Sequence, residues 1–183
     1  MNGDEARAAG AAAPGQSRFE ELRDAVRGYG DAAFRNLIRC RAFARAIIDG
    51  FAAFEGCPPG QVVAVPAVGA FDPRKEYKDE AFSYHSRPVV LLEPVRFGLC
   101  LIVGDLEDQG ALWLRTQISI EMSAEGFDVY VAARPRIRAP LEFGVALERI
   151  FEEVHAEFLE TFTRELNDFN DVSFSSRIGF APV

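Results

Sequence analysis

Two hydrophobic periods run through this chain, and they divide it into helical ends and an extended middle. From Phe19 the apolar positions continue through Leu22, Val26, Tyr29, Ala33, Leu37, Cys40, Ala44, Ile47, Phe51 and Phe54. Every step is three or four residues, which keeps the whole series on one face of an α-helix. Ser17 with Glu20 three residues on predicts a capping box at its start. Gly28 and Gly30 flank Tyr29 and predict a kink or break, with Asp31 recapping. Gly56 and Pro58-Pro59 are expected to end the helix. A second stripe, Phe143, Leu147, Ile150, Val154, Phe158, Phe162, Leu166 and Phe169, predicts a final helix with Pro140 in its first turn. Its opposite face carries Glu148, Glu152, Glu153, Glu157, Glu160 and Glu165, which are expected in solvent.

Between the helices the period falls to two. Leu112, Leu114, Thr116, Ile118, Ile120 and Met122 alternate with Trp113, Arg115, Gln117, Ser119 and Glu121; after Ala124-Glu125-Gly126, Phe127, Val129, Val131 and Ala133 alternate with Asp128, Tyr130, Ala132 and Arg134. Such alternation marks strands with one apolar face. Only one register of this hairpin joins both apolar sets across a short turn: Met122 opposite Phe127, Ile120 opposite Val129, Ile118 opposite Val131 and Thr116 opposite Ala133. Residues 61–69 form a short strand whose Pro66 points to a sheet edge. From Ala81 to Val103 the chain is extended, with bends at Pro88 and Pro94. Val172, Phe174, Ile178 and Phe180 alternate and suggest an added edge strand. The expected fold is α+β: an antiparallel β-meander of about five strands, packed on its apolar face by the long N-terminal and C-terminal helices.

Composition sharpens this picture in a few respects. The 183 residues suffice for one domain, expected over 17–183, after a disordered Ala-, Gly- and Pro-rich tail over 1–16. Net charge is −8, which argues against a broad grip on nucleic acid or on an anionic membrane. The first residues are acidic, unlike a secretion signal, and the most apolar run, 89–103, is interrupted and too short to span a bilayer. Cys40, Cys57 and Cys100 are odd in number and lack any CxxC pair, so reduced thiols in a cytoplasm are expected. Of the 20 basic residues only Lys75 and Lys78 are lysine. With the abundance of Ala and Gly, that suggests a GC-rich bacterial coding bias.

The chain offers little for catalysis. It has no Gly-rich phosphate loop, no GxSxG and no HExxH, and its histidines are His85 and His155 only. A single Glu152-Glu153-Val154-His155 stretch is one Glu-x-x-His, where a carboxylate-bridged metal pair needs two. No catalytic residue, metal ligand or cofactor is therefore expected. The hairpin register does place Arg115 opposite Arg134 on the polar sheet face, an arrangement that like charges disfavour. Trp113 falls beside Arg136, Tyr130 lies opposite Ser119, and Arg138 extends the group. These residues, together with His85, form a candidate site for an anionic or aromatic ligand or an acidic peptide. The first helix adds a second basic group, Arg35, Arg39, Arg41 and Arg45. The expected function is a non-catalytic binding or interaction protein acting as a homodimer. The alternative is a small-molecule-binding protein or enzyme, with a pocket between sheet and helices and His85 as its acid–base group.

Overall fold

A computed structural model describes residues 17–104, 112–168 and 178–180. The expected tail over 1–16 and the alternating residues Val172 and Phe174 lie outside these. Helix α1 runs Arg18–Glu55, and both halves of its capping box form. The Ser17 hydroxyl accepts from the Glu20 amide at 3.2 Å, and the Glu20 carboxylate accepts from the Ser17 amide at 2.9 Å. Gly56 closes the helix in the left-handed conformation, φ 66°, its amide donating to the Ala52 and Ala53 carbonyls. The expected break at Gly28 and Gly30 does not occur. A glycine costs a helix only about 1 kcal/mol, and propagation from the packed half of α1 carries the ladder through.

The sheet is the expected meander. Strands β1 Val62–Val65, β2 Val95–Val103, β3 Leu112–Met122, β4 Gly126–Val131 and β5 Ile137–Pro140 lie side by side in chain order, each antiparallel to the next. A sixth strand, β6 Ile178–Phe180, pairs with Leu112–Leu114 at the upper end of β3. The β3–β4 register is the one expected from Met122–Phe127 to Ile118–Val131. β1 is an edge strand and ends just before Pro66. The extended stretch expected from Ala81 begins to pair only at Val95, after Pro88 and Pro94, neither of which can donate to a ladder. Pro140 sits in β5 opposite Gly126, not in a helix, and α2 starts later, Gly144–Asp168.

Both helices cover the apolar sheet face. Phe43, Ile47 and Phe51 of α1 and Ile150, Val154 and Phe158 of α2 bury against Phe97, Leu99, Ile118, Ile120, Val129 and Val131. Each such side chain stabilises the fold by about 1.5–3 kcal/mol. Phe43 stacks on Phe143 at 4.4 Å and meets Phe127 at 4.9 Å. The helices approach closely at Gly50, where a Cβ would overlap the Phe151 ring. On the far side of the sheet Val65, Cys100 and Ile102 form a smaller cluster with Val63, Phe71, Tyr77 and Trp113. The loop after β1 therefore closes part of the polar sheet face. Among the described residues no helix is long and apolar enough to cross a membrane.

Candidate functional site

The structure does not bring the expected arginine–aromatic patch together in one place. Trp113 and Arg115 remain on the far sheet face, but the chain beyond β1 occupies them. Phe71 meets Trp113 edge-on at 4.7 Å, and the Arg115 guanidinium lies 4.7 Å over the Phe71 ring. Arg115 donates to the carbonyls of Gly69 at 2.8 Å and Pro66 at 3.2 Å. Burial lowers its pKa below the usual guanidinium range, while Cys100 and Tyr77 oppose that shift. Gly98 accepts this packing because it has no side chain; a Cβ would stand 2.9 Å from the Pro66 carbonyl oxygen. A shallow hollow of about 390 Å3 remains beside Arg115, lined also by Val68, Gln117 and Ala132. Tyr130 lies further along the same face, opposite Ser119.

Arg134 corrects the expected register. Pairing of β3 with β4 stops at Ile118–Val131, because Ala132 turns to φ 48° while its amide still donates to the Gln117 carbonyl at 2.8 Å. Thr116 and Ala133 do not pair, and Arg115 and Arg134 never face each other. The chain turns Arg134 toward α2, where it meets Glu153 at 2.9 Å, Glu157 at 3.2 Å and Glu160 at 2.7 Å. Glu157, expected in solvent, is 3% exposed and also meets Arg164 at 3.5 Å. One guanidinium thus pairs with three glutamates of α2, an opposite-charge contact in place of the like-charge pairing expected in the sheet. Arg136 and Arg138 both turn to Asp128, at 3.3 and 3.6 Å. His85 is exposed in the loop before β2.

Two of the three thiols are shielded. Burial pushes Cys40 and Cys100 up to about 12, which leaves them protonated at neutral pH. His155 does not face a second Glu-x-x-His; its Nδ1 meets Glu55 Oε1 at 2.8 Å and joins α2 to α1. Among the described residues no group of three or more His, Cys, Asp or Glu is placed to hold a metal.

Among the described residues the first half of α1 carries an uncovered apolar face. Its apolar stripe continues the buried one without a change of period, yet Phe19 is 73% exposed, Leu22 66%, Val26 71% and Tyr29 49%. From Arg18 to Tyr29 every residue except Glu20 is exposed. Tyr29 leads directly to a second apolar segment, since its hydroxyl accepts from the Leu92 amide at 3.1 Å. Val89, Val90, Leu91 and Leu92 there are all exposed. Asn36, buried in α1, holds the same segment by donating to the Glu93 carbonyl at 2.9 Å. Helix stripe and loop together expose eight large apolar side chains, Phe19, Leu22, Val26, Tyr29, Val89, Val90, Leu91 and Leu92, and a contiguous apolar patch of that kind marks an interaction surface. Periodicity made the stripe visible in the sequence, but stripe positions are ordinarily core, so its exposure was not.

A groove of about 820 Å3 lies on another side of α1, between Arg41 and Arg45, the β1 edge at Val63 and Ala64, and the loop carrying Lys75, Tyr77 and Lys78. Arg41 meets both carboxylate oxygens of Asp79, at 2.6 and 2.7 Å, and Lys75 meets Glu80 at 2.5 Å. Arg41 of the basic group on the first helix is therefore paired within the groove wall. Compared with known proteins, the chain matches no family model, and no curated protein or solved structure matches it significantly.

Proposed function

We propose that this chain is a non-catalytic binding protein that acts as a homodimer. The observation that carries the reading is the apolar stripe Phe19–Leu22–Val26–Tyr29, which is regular enough to be a packing surface and remains exposed among the described residues. Leaving it in water forgoes about 25 cal/mol for each Å2, so a partner that covers it gains substantially. The rest of the chain carries −8, whereas Arg18, Glu20, Glu21, Arg23, Asp24, Arg27, Asp31 and Arg35 balance four positive charges with four negative ones. Copies of an acidic protein approach most readily along such a neutral segment. Light scattering across a concentration series tests the reading. Twice the chain mass at high concentration, falling toward one chain mass on dilution, supports it; one chain mass throughout overturns it.

A second reading rests on the groove beside α1. Arg45 has no hydrogen bond or ion pair among the described residues, and it lines that groove with Tyr77 and Phe82. An anionic aromatic ligand fits this chemistry. Titration with an anilinonaphthalene sulfonate dye tests it: saturable fluorescence that Arg45→Glu abolishes supports a ligand site there, and dye binding indifferent to Arg45→Glu removes the reading.

A further inference from the structure

The spacing of the exposed stripe specifies how a second copy sits on it. Phe19, Leu22, Val26 and Tyr29 are separated by three, four and three residues, a pattern that reads the same in both directions. A two-fold contact between identical surfaces requires such self-complementarity. We infer that two copies pair through the first halves of α1 in antiparallel register, Phe19 of each against Tyr29 of the other and Leu22 against Val26. The inference rests on the homodimer reading and adds its surface, its direction and its register.

Several features converge on that arrangement. Each layer then pairs an aromatic ring with an aromatic ring or one branched aliphatic chain with another, so the layers are filled evenly along the contact. The other copy's Phe19 lands beside Tyr29, and therefore beside Leu92, whose amide donates to that tyrosine. The 89–92 segment is thereby covered by the incoming helix end and extends the contact past the helix itself. Gly30 takes part as well, since it follows Val26 by four residues and lies on the stripe's side of the helix. Among the described residues nothing lies within 4 Å of a Cβ built on it, so internal packing does not call for a glycine at that position. Between two helices, residues without side chains admit a closer backbone approach. A parallel pair would instead set Phe19 on Phe19 and leave the 89–92 segments uncovered by the helix ends.

Cysteine cross-linking resolves the register. In a Cys57→Ser background, Phe19→Cys and Tyr29→Cys are made separately and together, and each protein is oxidised or treated with a short bis-maleimide. The expected result is a covalent dimer from the double variant and none from either single variant. A covalent dimer from Phe19→Cys alone means parallel pairing and overturns the inference. A dimer by light scattering with no cross-link in any variant places the contact elsewhere; that overturns the inference while leaving the homodimer reading intact. A monomer at every concentration overturns both, including the case where the chain's own residues 1–16 cover the stripe and slow the labelling of Phe19→Cys. Leu22→Glu with Val26→Glu provides the second measurement. The dissociation constant is expected to rise at least roughly 100-fold with the melting temperature of the dilute protein unchanged, because both side chains are exposed in the single chain. Undiminished dimerisation of that variant would overturn the inference.

Discussion

The two halves of α1 share one sequence pattern and have opposite surroundings. From Ala33 to Phe51 the stripe is buried against the sheet and α2; from Phe19 to Tyr29 the same three- and four-residue steps run through solvent. Neither the pattern nor the helix changes at the boundary. What changes is whether another element lies opposite. Periodicity specifies which face of a helix is apolar, but the tertiary structure decides what covers it.

The strongest way to sharpen this contrast is to truncate the same residue type in each half. Phe43→Ala is expected to cost about 3–5 kcal/mol in urea unfolding, because it opens a cavity against Phe127 and Phe143. Phe19→Ala, measured where the chain is monomeric, should stay within about 0.5 kcal/mol of the parent. Equal losses would mean that the first half packs on the same chain. Next in size is Asn36, close to where the halves meet. Asn36→Ala removes the hydrogen bond to the Glu93 carbonyl and is expected to cost about 1–2 kcal/mol, with faster hydrogen exchange in residues 89–94. Unchanged exchange there would show that the segment is held by other contacts.

Smaller effects separate helix formation from packing. Gly28→Ala and Gly30→Ala should each add up to about 1 kcal/mol to the monomer, since both are helical and both have room for a methyl group. If close approach between copies uses Gly30, Gly30→Ala weakens the dimer, whereas Gly28→Ala, on the opposite helix face, leaves it unchanged. A stability gain together with tighter association would break that link. The smallest expected effect depends on pH. Hydrogen bonds from the Ser17 backbone and hydroxyl lower the pKa of Glu20 below its ordinary 4.5. A lowered folded pKa contributes stability that is present above 4.5 and lost as pH falls through the folded value. The first turns of α1 should therefore fray on acidification, seen as a lower protection of the 18–22 amides relative to their intrinsic exchange at the same pH, while those of 40–51 stay protected. Glu20→Gln should remove most of that pH dependence of the protection.

Much of the architecture was legible in the sequence because it follows from period and punctuation. The capping box at Ser17, the glycine at position 56, the edge strand ahead of Pro66 and the β3–β4 register each have a local cause that the residues display. The errors arose where a distant group overrides a local rule. Continuing the β4 alternation to Arg134 ignored three glutamates on α2, and those draw the arginine out of the ladder. Reading Glu157 as exposed followed from its place on a charged helix face, when burial depended on a guanidinium from another element. Pro140 is a common first-turn residue, yet Gly126 across the sheet gave it a place in β5. The candidate patch failed to assemble for the same reason: Arg115 is engaged by carbonyls of Pro66 and Gly69, and no side-chain pattern announces a carbonyl. The exposed stripe was written plainly as a stripe, but only the fold shows that it stays exposed among the described residues.

The length of α1 has a consequence for shape. At 38 residues it extends about 57 Å, while its packed portion begins only at Ala33. Two such helices overlapped about their residue 24 would hold the globular bodies apart at opposite ends of a short rod, with the points where packing begins about 27 Å from each other along the axis. The particle would then be a dumbbell rather than a sphere. Small-angle scattering would see this as a second, longer peak in the distribution of interatomic distances, and each body would present its groove to solvent independently of the other.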